Sequence, residues 1–209
     1  ADDVLGAVRA GIVVAVLSLV GRSLAVLQQA GHLHLYGKPQ NVLLCRLGIE
    51  CDVAKVLDFG LAKSIRGDDA QITGDGAVTG TPAYLPPEGV VGEPADERSD
   101  LYSLGCVAYF LLTGRPVFTG EPMAVMIHHV RSTPAPPSSL APVPPVLEAV
   151  VLACLEKDPA RRPATALEVW RRLGEVELAQ RWTRERAEAW WREHGPCPVR
   201  ILVQRPPRP

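Results

Sequence analysis

The 209-residue sequence predicts a mainly α-helical fold: a helical bundle around one buried central helix, with a small β-hairpin next to Asp58-Phe59-Gly60. Three observations predict it. Leu101 to Thr113 is apolar at 101, 104, 107, 108, 111 and 112 with almost no polar face, which marks a buried helix. Ile12, Val16, Leu19, Val20, Leu24 and Leu27 recur at steps of three and four, a second long helix. Two short apolar runs, Val42 to Cys45 and Val53 to Leu57, flank the turn-like Gly48-Ile49-Glu50 and read as two strands of a hairpin.

The elements follow in order. The first helix runs from Ala1 to about Ala30, with Gly31 at its stop. Its apolar run Gly11 to Gly21 is about half of the ~20 residues a membrane span needs. Asp2 and Asp3 precede it, where a signal peptide would carry positive charge, so a buried helix and no membrane span is expected. Residues 58 to 98 are rich in Gly, Asp, Thr and Pro, a long aperiodic stretch of the kind that carries function. The central helix closes at Gly114. Six prolines between 132 and 145 read as a connection between helices rather than a docking ligand. Helical patterns resume at 146–156 and 165–173, the second opened by a Thr165/Glu168 capping box. All four tryptophans fall between 170 and 191, and Thr183 to His194 reads as a final helix ended by Gly195. The last fifteen residues hold Arg200, Arg205 and Arg208 with five prolines and no acid, a basic, solvated tail.

Composition excludes several classes. With 47% hydrophobic and 22% charged residues the chain is not wholly disordered. Its formal net charge of −1 argues against a nucleic-acid partner. Five scattered cysteines (45, 51, 106, 154 and 197) without a Cys-x-x-Cys pair read as reduced thiols in a cytoplasmic protein. The neighbours His128 and His129 point about 100° apart on a helix and lack further ligands, so no metal is expected there. Cys106 reads as a small apolar filler, and the tryptophans as packing between the terminal helices and the rest, with an exposed partner-binding stripe as the alternative.

Three separated signals carry chemistry: His34-Leu35-Tyr36-Gly37-Lys38-Pro39-Gln40-Asn41, then Asp58-Phe59-Gly60, then Gly80-Thr81-Pro82-Ala83-Tyr84-Leu85-Pro86-Pro87-Glu88. In that order and spacing they resemble the C-terminal lobe of a Ser/Thr protein kinase of the bacterial, eukaryotic-like type. The likeness continues through Ser99-Asp100-Leu101-Tyr102-Ser103-Leu104-Gly105 and ends at Lys157-Asp158-Pro159 and Arg162-Pro163. It divides the chain into a kinase C-lobe at 1–173, a Trp-rich helical extension at 174–194 and a Pro/Arg-rich tail at 195–209.

The resemblance implies phosphoryl transfer from ATP to protein Ser/Thr, a reaction that asks mainly for positioning and charge neutralisation. It implies that Asn41 and Asp58 share Mg²⁺ on the ATP phosphates as hard oxygen ligands, and that Lys38 brings a point charge to the transferred group. Gly80 and Thr81 would shape the platform beside the target hydroxyl, and Thr73 and Thr79 would be phosphosites. His34, Phe59, Gly60, Glu88, Asp100 and Arg162 would be structural: Glu88 pairs with Arg162, Asp100 ties the catalytic loop to the central helix, and His34 packs under that loop.

Two departures shape the functional expectation. The family's His-Arg-Asp reads His34-Leu35-Tyr36 here, so a tyrosine, protonated at neutral pH, stands where a carboxylate accepts the substrate proton. Loss of a general base lowers rates roughly 10²–10⁴-fold. Leu35 likewise removes the arginine that would receive a phosphorylated activation loop. Secondly, no glycine-rich loop, strand lysine or helix glutamate precedes Ala1, so an N-lobe is absent from the sequence given and its apolar partner face is expected to promote association. The expectation is a truncated or pseudokinase-like, catalytically impaired lobe. Two alternatives stand beside it: an active kinase whose N-lobe lies upstream, and a non-catalytic helical module that binds a partner through the Trp-rich helices.

Overall fold

A helix without a polar face has to be enclosed by the rest of the chain. The computed structural model describes residues 2–30, 32–33, 42–47, 50–56, 63–64, 81–178, 182–194 and 199–200, with side chains described at 10–30, 81–178 and 182–193. The helices along the described residues are α1 (Asp2–Gln29), α2 (Pro87–Val91), α3 (Glu97–Thr113), α4 (Pro122–Arg131), α5 (Pro145–Cys154), α6 (Ala166–Gly174) and α7 (Arg184–His194). The architecture is mainly helical, in keeping with a kinase-like helical lobe.

The enclosed helix is α3. Leu101, Tyr102, Leu104, Cys106, Val107, Ala108, Tyr109 and Leu112 are all buried. It starts at Glu97, four residues before the apolar pattern begins, because a polar cap sets its start. The Asp96 carboxylate accepts the Arg98 N–H at 2.8 Å, and the Asp96 N–H donates to Ser99 Oγ at 3.2 Å. At the far end Gly114 takes a left-handed turn (φ 73°) and donates its N–H to the Phe110 carbonyl at 2.8 Å. Helix α5 crosses α3 so closely that a Cβ at Gly105 would lie 2.8 Å from Cys154 Cβ and 3.2 Å from Leu155.

Helix α1 packs on α3 and α6. Its buried stripe is Ala10, Val13, Val16, Leu17, Val20 and Leu24. Each buried Val or Leu there stabilises the fold by roughly 1.5–3 kcal/mol relative to exposure. The segment Ala10–Gln29 is nonetheless long and apolar enough to cross a membrane by length and composition, and half of it is buried inside the lobe. The longer segment passes where the run Gly11 to Gly21 is half a span because Arg22 is the single charge between 10 and 29. Gln28 joins three helices, donating to the Glu97 carbonyl at 3.2 Å and accepting the Ala166 N–H at 3.1 Å.

Helix α6 shows a correction. Thr165 Oγ1 accepts the Glu168 N–H at 3.2 Å, but the Glu168 carboxylate reaches back to the Ala164 N–H, at 2.8 Å, rather than to Thr165. Thr183 caps α7 by accepting the Arg186 N–H at 3.4 Å, and Trp191 is fully buried in the core cluster. The proline-rich connection is partly structured, with a 3₁₀ turn at Pro137–Ser139 whose Pro137 is buried.

The backbone also describes strands β1 (His32–Leu33), β2 (Val42–Leu47), β3 (Glu50–Val56), β4 (Lys63–Ser64) and β5 (Val199–Arg200). β2 pairs antiparallel with β3, with Val42 opposite Val56, and β1 with β4. β5 pairs antiparallel with β2, so Val199 and Arg200 engage the lobe rather than standing in a wholly solvated tail. The register fixes the backbone only.

Candidate functional site

Of the residues singled out from the sequence, Thr81, Glu88, Asp100 and Arg162 are described. His34, Tyr36, Lys38, Asn41, Asp58, Phe59, Gly60, Thr73, Thr79 and Gly80 lie outside the described residues, as does the stop at Gly195.

The described part of the site begins at Thr81, which is exposed at the head of a 3₁₀ turn, Pro82–Tyr84. Pro82 presets the turn's first dihedral. The Tyr84 N–H then donates to the Thr81 carbonyl at 3.0 Å, and the Leu85 N–H to Pro82 at 3.3 Å. The turn is fastened to the central helix, because Ser103 Oγ on α3 donates to the Tyr84 carbonyl at 3.0 Å. Burial removes water from the Tyr84 phenol and pushes its pKa up to about 12, so it stays neutral.

Just beyond the turn, Glu88 on α2 meets Arg162 in a buried, two-pronged ion pair. Arg162 Nη1 donates to Oε1 at 2.7 Å and Nη2 to Oε2 at 2.8 Å. Ser99 Oγ, already part of the α3 cap, donates to the same Oε1 at 2.7 Å. Burial alone would raise the Glu88 pKa, but the Arg162 and Ser99 hydrogen bonds and the guanidinium charge outweigh it and hold the carboxyl below its ordinary range. Arg162 spends its remaining donors on main-chain carbonyls: Nε on Glu156 at 2.8 Å, Nη1 on Arg98 at 3.0 Å and Nη2 on Lys157 at 3.1 Å. A guanidinium has five N–H groups, and all five are engaged. Asp100 is buried in the first turn of α3; the loop it would tie lies outside the described residues.

Sequence reasoning missed a polar cluster beneath this joint. The Arg162 guanidinium sits 4.8 Å from the Tyr102 ring centroid. Tyr102 Oη lies 2.9 Å from His129 Nδ1 and accepts from Lys157 Nζ at 3.3 Å. The Lys157 ammonium also lies 4.9 Å from the Phe118 ring centre. Burial, with the Arg162 charge, outweighs the acidic neighbours of Lys157 and brings its pKa down to about 8. Burial, Lys157 and His128 outweigh the Ala83 main chain and bring His129 down to about 4. The one sequence signal was the side-by-side pair His128 and His129 on an apolar helix, which gives no hint which ring is interior. Among the described residues no cluster of His, Cys, Asp and Glu could hold a metal ion.

Residues 6–172 match the protein kinase domain family. The chain is 46% identical over 143 residues to the serine/threonine-protein kinase PknB of Mycolicibacterium smegmatis, covering 68% of this chain and 22% of that protein. It is 41% identical over 167 residues to the probable serine/threonine-protein kinase PknB of Corynebacterium glutamicum, covering 77% and 25%. A probable serine/threonine-protein kinase of Streptomyces coelicolor is 46% identical over 143 residues, covering 68% and 21%. The matched part is thus about a quarter or less of the length of these relatives. A helical lobe matched over most of its length to that domain, and to such kinases in three bacterial genera, leaves one conclusion: the chain belongs to the bacterial Ser/Thr protein kinase family.

Proposed function

We propose that the chain is the lower lobe of a Ser/Thr protein kinase that retains its peptide platform while its phosphoryl transfer is impaired. The impairment rests on one observation, Tyr36 at the position of the family's proton-accepting aspartate. A phenol with a reference pKa near 10 holds its proton at neutral pH and cannot accept another from a hydroxyl. The platform half is supported by the fastening of Pro82–Tyr84 to α3 and by the Glu88–Arg162 pair behind it. A protein segment bearing Ser or Thr would lie across Gly80 and Thr81. Thr73 and Thr79 would accept phosphate without the usual receiving arginine, since Leu35 stands there.

The donor set suits ATP·Mg²⁺: Asn41 and Asp58 offer the hard oxygens that magnesium takes, and Lys38 a positive charge. When bound, the nucleotide supplies the phosphoryl group, and the chain's part is to orient the acceptor. The proposed setting is the cytoplasm, where buried free thiols such as Cys106 and Cys154 stay reduced.

Retention of Lys38, Asn41 and Asp58 together favours a second reading, an active kinase. The test compares full-length protein with its Tyr36→Asp variant in ATP-dependent phosphorylation of a Ser/Thr peptide. The expected result is a wild-type rate roughly 10²–10⁴-fold below the variant. Equal rates, both abolished by Asp58→Ala, would replace the impaired reading with the active one. The partner-binding module has less support, because Trp191 is buried in the core and Trp182 and Trp190 pack partly buried against it, which leaves Trp170 as the exposed tryptophan of the four.

A further inference from the structure

We infer that His129 is a positioning residue for the peptide platform, its Nε2–H held toward the Pro82–Tyr84 turn by a one-way relay of hydrogen-bond donors that starts at Lys157. The inference rests on reading that turn as the platform.

The relay follows from donor counting. An ammonium can only donate, so Lys157 Nζ gives a proton to Tyr102 Oη at 3.3 Å. A phenol has a single proton, and Tyr102 is left to aim it at His129 Nδ1, 2.9 Å away. A neutral imidazole accepting at Nδ1 carries its own proton on Nε2. The low proton affinity of the buried ring, described above, keeps it neutral at pH 7. Three residues from α4, α3 and the segment before Arg162 together favour this tautomer, since the other would leave the Tyr102 proton unused.

The relay ends without a partner. His129 is fully buried, and its Nε2 has no hydrogen-bond partner among the described residues. Keeping a buried N–H unpaired is unfavourable, so the structure gains by bringing an acceptor to it. The ring cannot go looking for one: Phe118 meets it edge-on at 5.0 Å and Tyr102 at 5.7 Å. Helix α4 packs directly on the Pro82–Tyr84 turn, and the Ala83 main chain is close enough to act on the imidazole as an acceptor. The turn is fastened to α3 through the Tyr84 carbonyl, which leaves the Ala83 carbonyl as the group that can settle on Nε2–H. A peptide pressing on Thr81 would seat the Ala83 carbonyl on Nε2–H, so the bond and the peptide favour the same position of the platform.

The test uses full-length protein and the variants His129→Gln, His129→Leu, Tyr102→Phe and Thr81→Arg. Glutamine can accept from Tyr102 and donate onward, and leucine can do neither. Imidazole ¹⁵N NMR of the wild type is expected to show the Nε2–H tautomer at pH 7, and Tyr102→Phe a mixture. With the peptide pool bound, amide exchange at Tyr84 and Leu85 in His129→Leu should be about tenfold quicker than in wild type while the core of α1 and α5 stays protected, with His129→Gln returning it toward wild type. A fluorescein-labelled pool of Thr-containing peptides should bind His129→Leu about tenfold more weakly than wild type. An Nδ1–H tautomer, unchanged exchange at Tyr84 and Leu85, or no recovery with glutamine would overturn the inference. Should His129→Leu fail to fold, the tautomer and exchange in Tyr102→Phe decide instead. Peptide binding indifferent to Thr81→Arg would remove the platform reading alone, with the imidazole tautomer still judging the relay.

Discussion

Arg162 shows how much can depend on one side chain that no solvent reaches. Its partner Glu88 is buried with it, so removing the guanidinium strands a carboxylate out of water. Arg162→Ala should destabilise the chain by about 3–5 kcal/mol in urea titration, whereas Glu88→Leu with Arg162→Met should recover much of the loss. His129 makes a different contribution at the same scale. Its pKa is near 6.5 unfolded and about 4 folded, so the unfolded chain binds the extra proton first as pH falls. Its stabilisation is therefore fully present above pH 6.5 and lost as pH falls through 4, on the order of 3 kcal/mol in all. The ring faces Lys157, Tyr102 and the Ala83 main chain, with His128 beside it, and Arg162 and Glu88 act on Tyr102; Glu88, also depressed, adds its own loss at lower pH. Urea midpoints between pH 7 and 4 should fall more steeply in wild type than in His129→Gln.

At the scale of elements, the contact of α3 with α5 is set by backbone proximity. A Gly105→Ala change would gain about 1 kcal/mol of helix propensity. Against that, the new Cβ meets Cys154 Cβ at 2.8 Å, and neither atom can rotate away from its own helix. Overpacking of this kind costs about 1–3 kcal/mol, so the variant should melt a few degrees lower by calorimetry. The helices themselves were legible because their signals are local: the apolar periodicity of 101–113, Gly114 at its end and Thr165 before α6 all lie within a few residues of what they specify. Where a signal was nearly degenerate the detail slipped, as with Glu168, whose carboxylate found the Ala164 N–H instead of its neighbour. The Lys157–Tyr102–His129 relay could not be read at all. Its members are 27 and 55 positions apart, and none is unusual in its own surroundings.

For the whole molecule, the deciding question is whether α1 belongs to the lobe. Its buried residues Val13, Leu17, Val20 and Leu24 share the cluster that holds Leu101, Val107 and Leu173. Leu17→Ala should therefore lower global stability by about 2–5 kcal/mol and quicken exchange in α3 and α6 alongside α1. A helix serving only as an anchor would leave α3 and α6 untouched. The same wholeness holds at the Glu88 corner. Because every N–H of Arg162 is already committed, that guanidinium has no donor left with which to greet an arriving phosphate. It is a weld rather than a switch: a displacement of α2 should carry the Arg162 segment with it as one rigid piece.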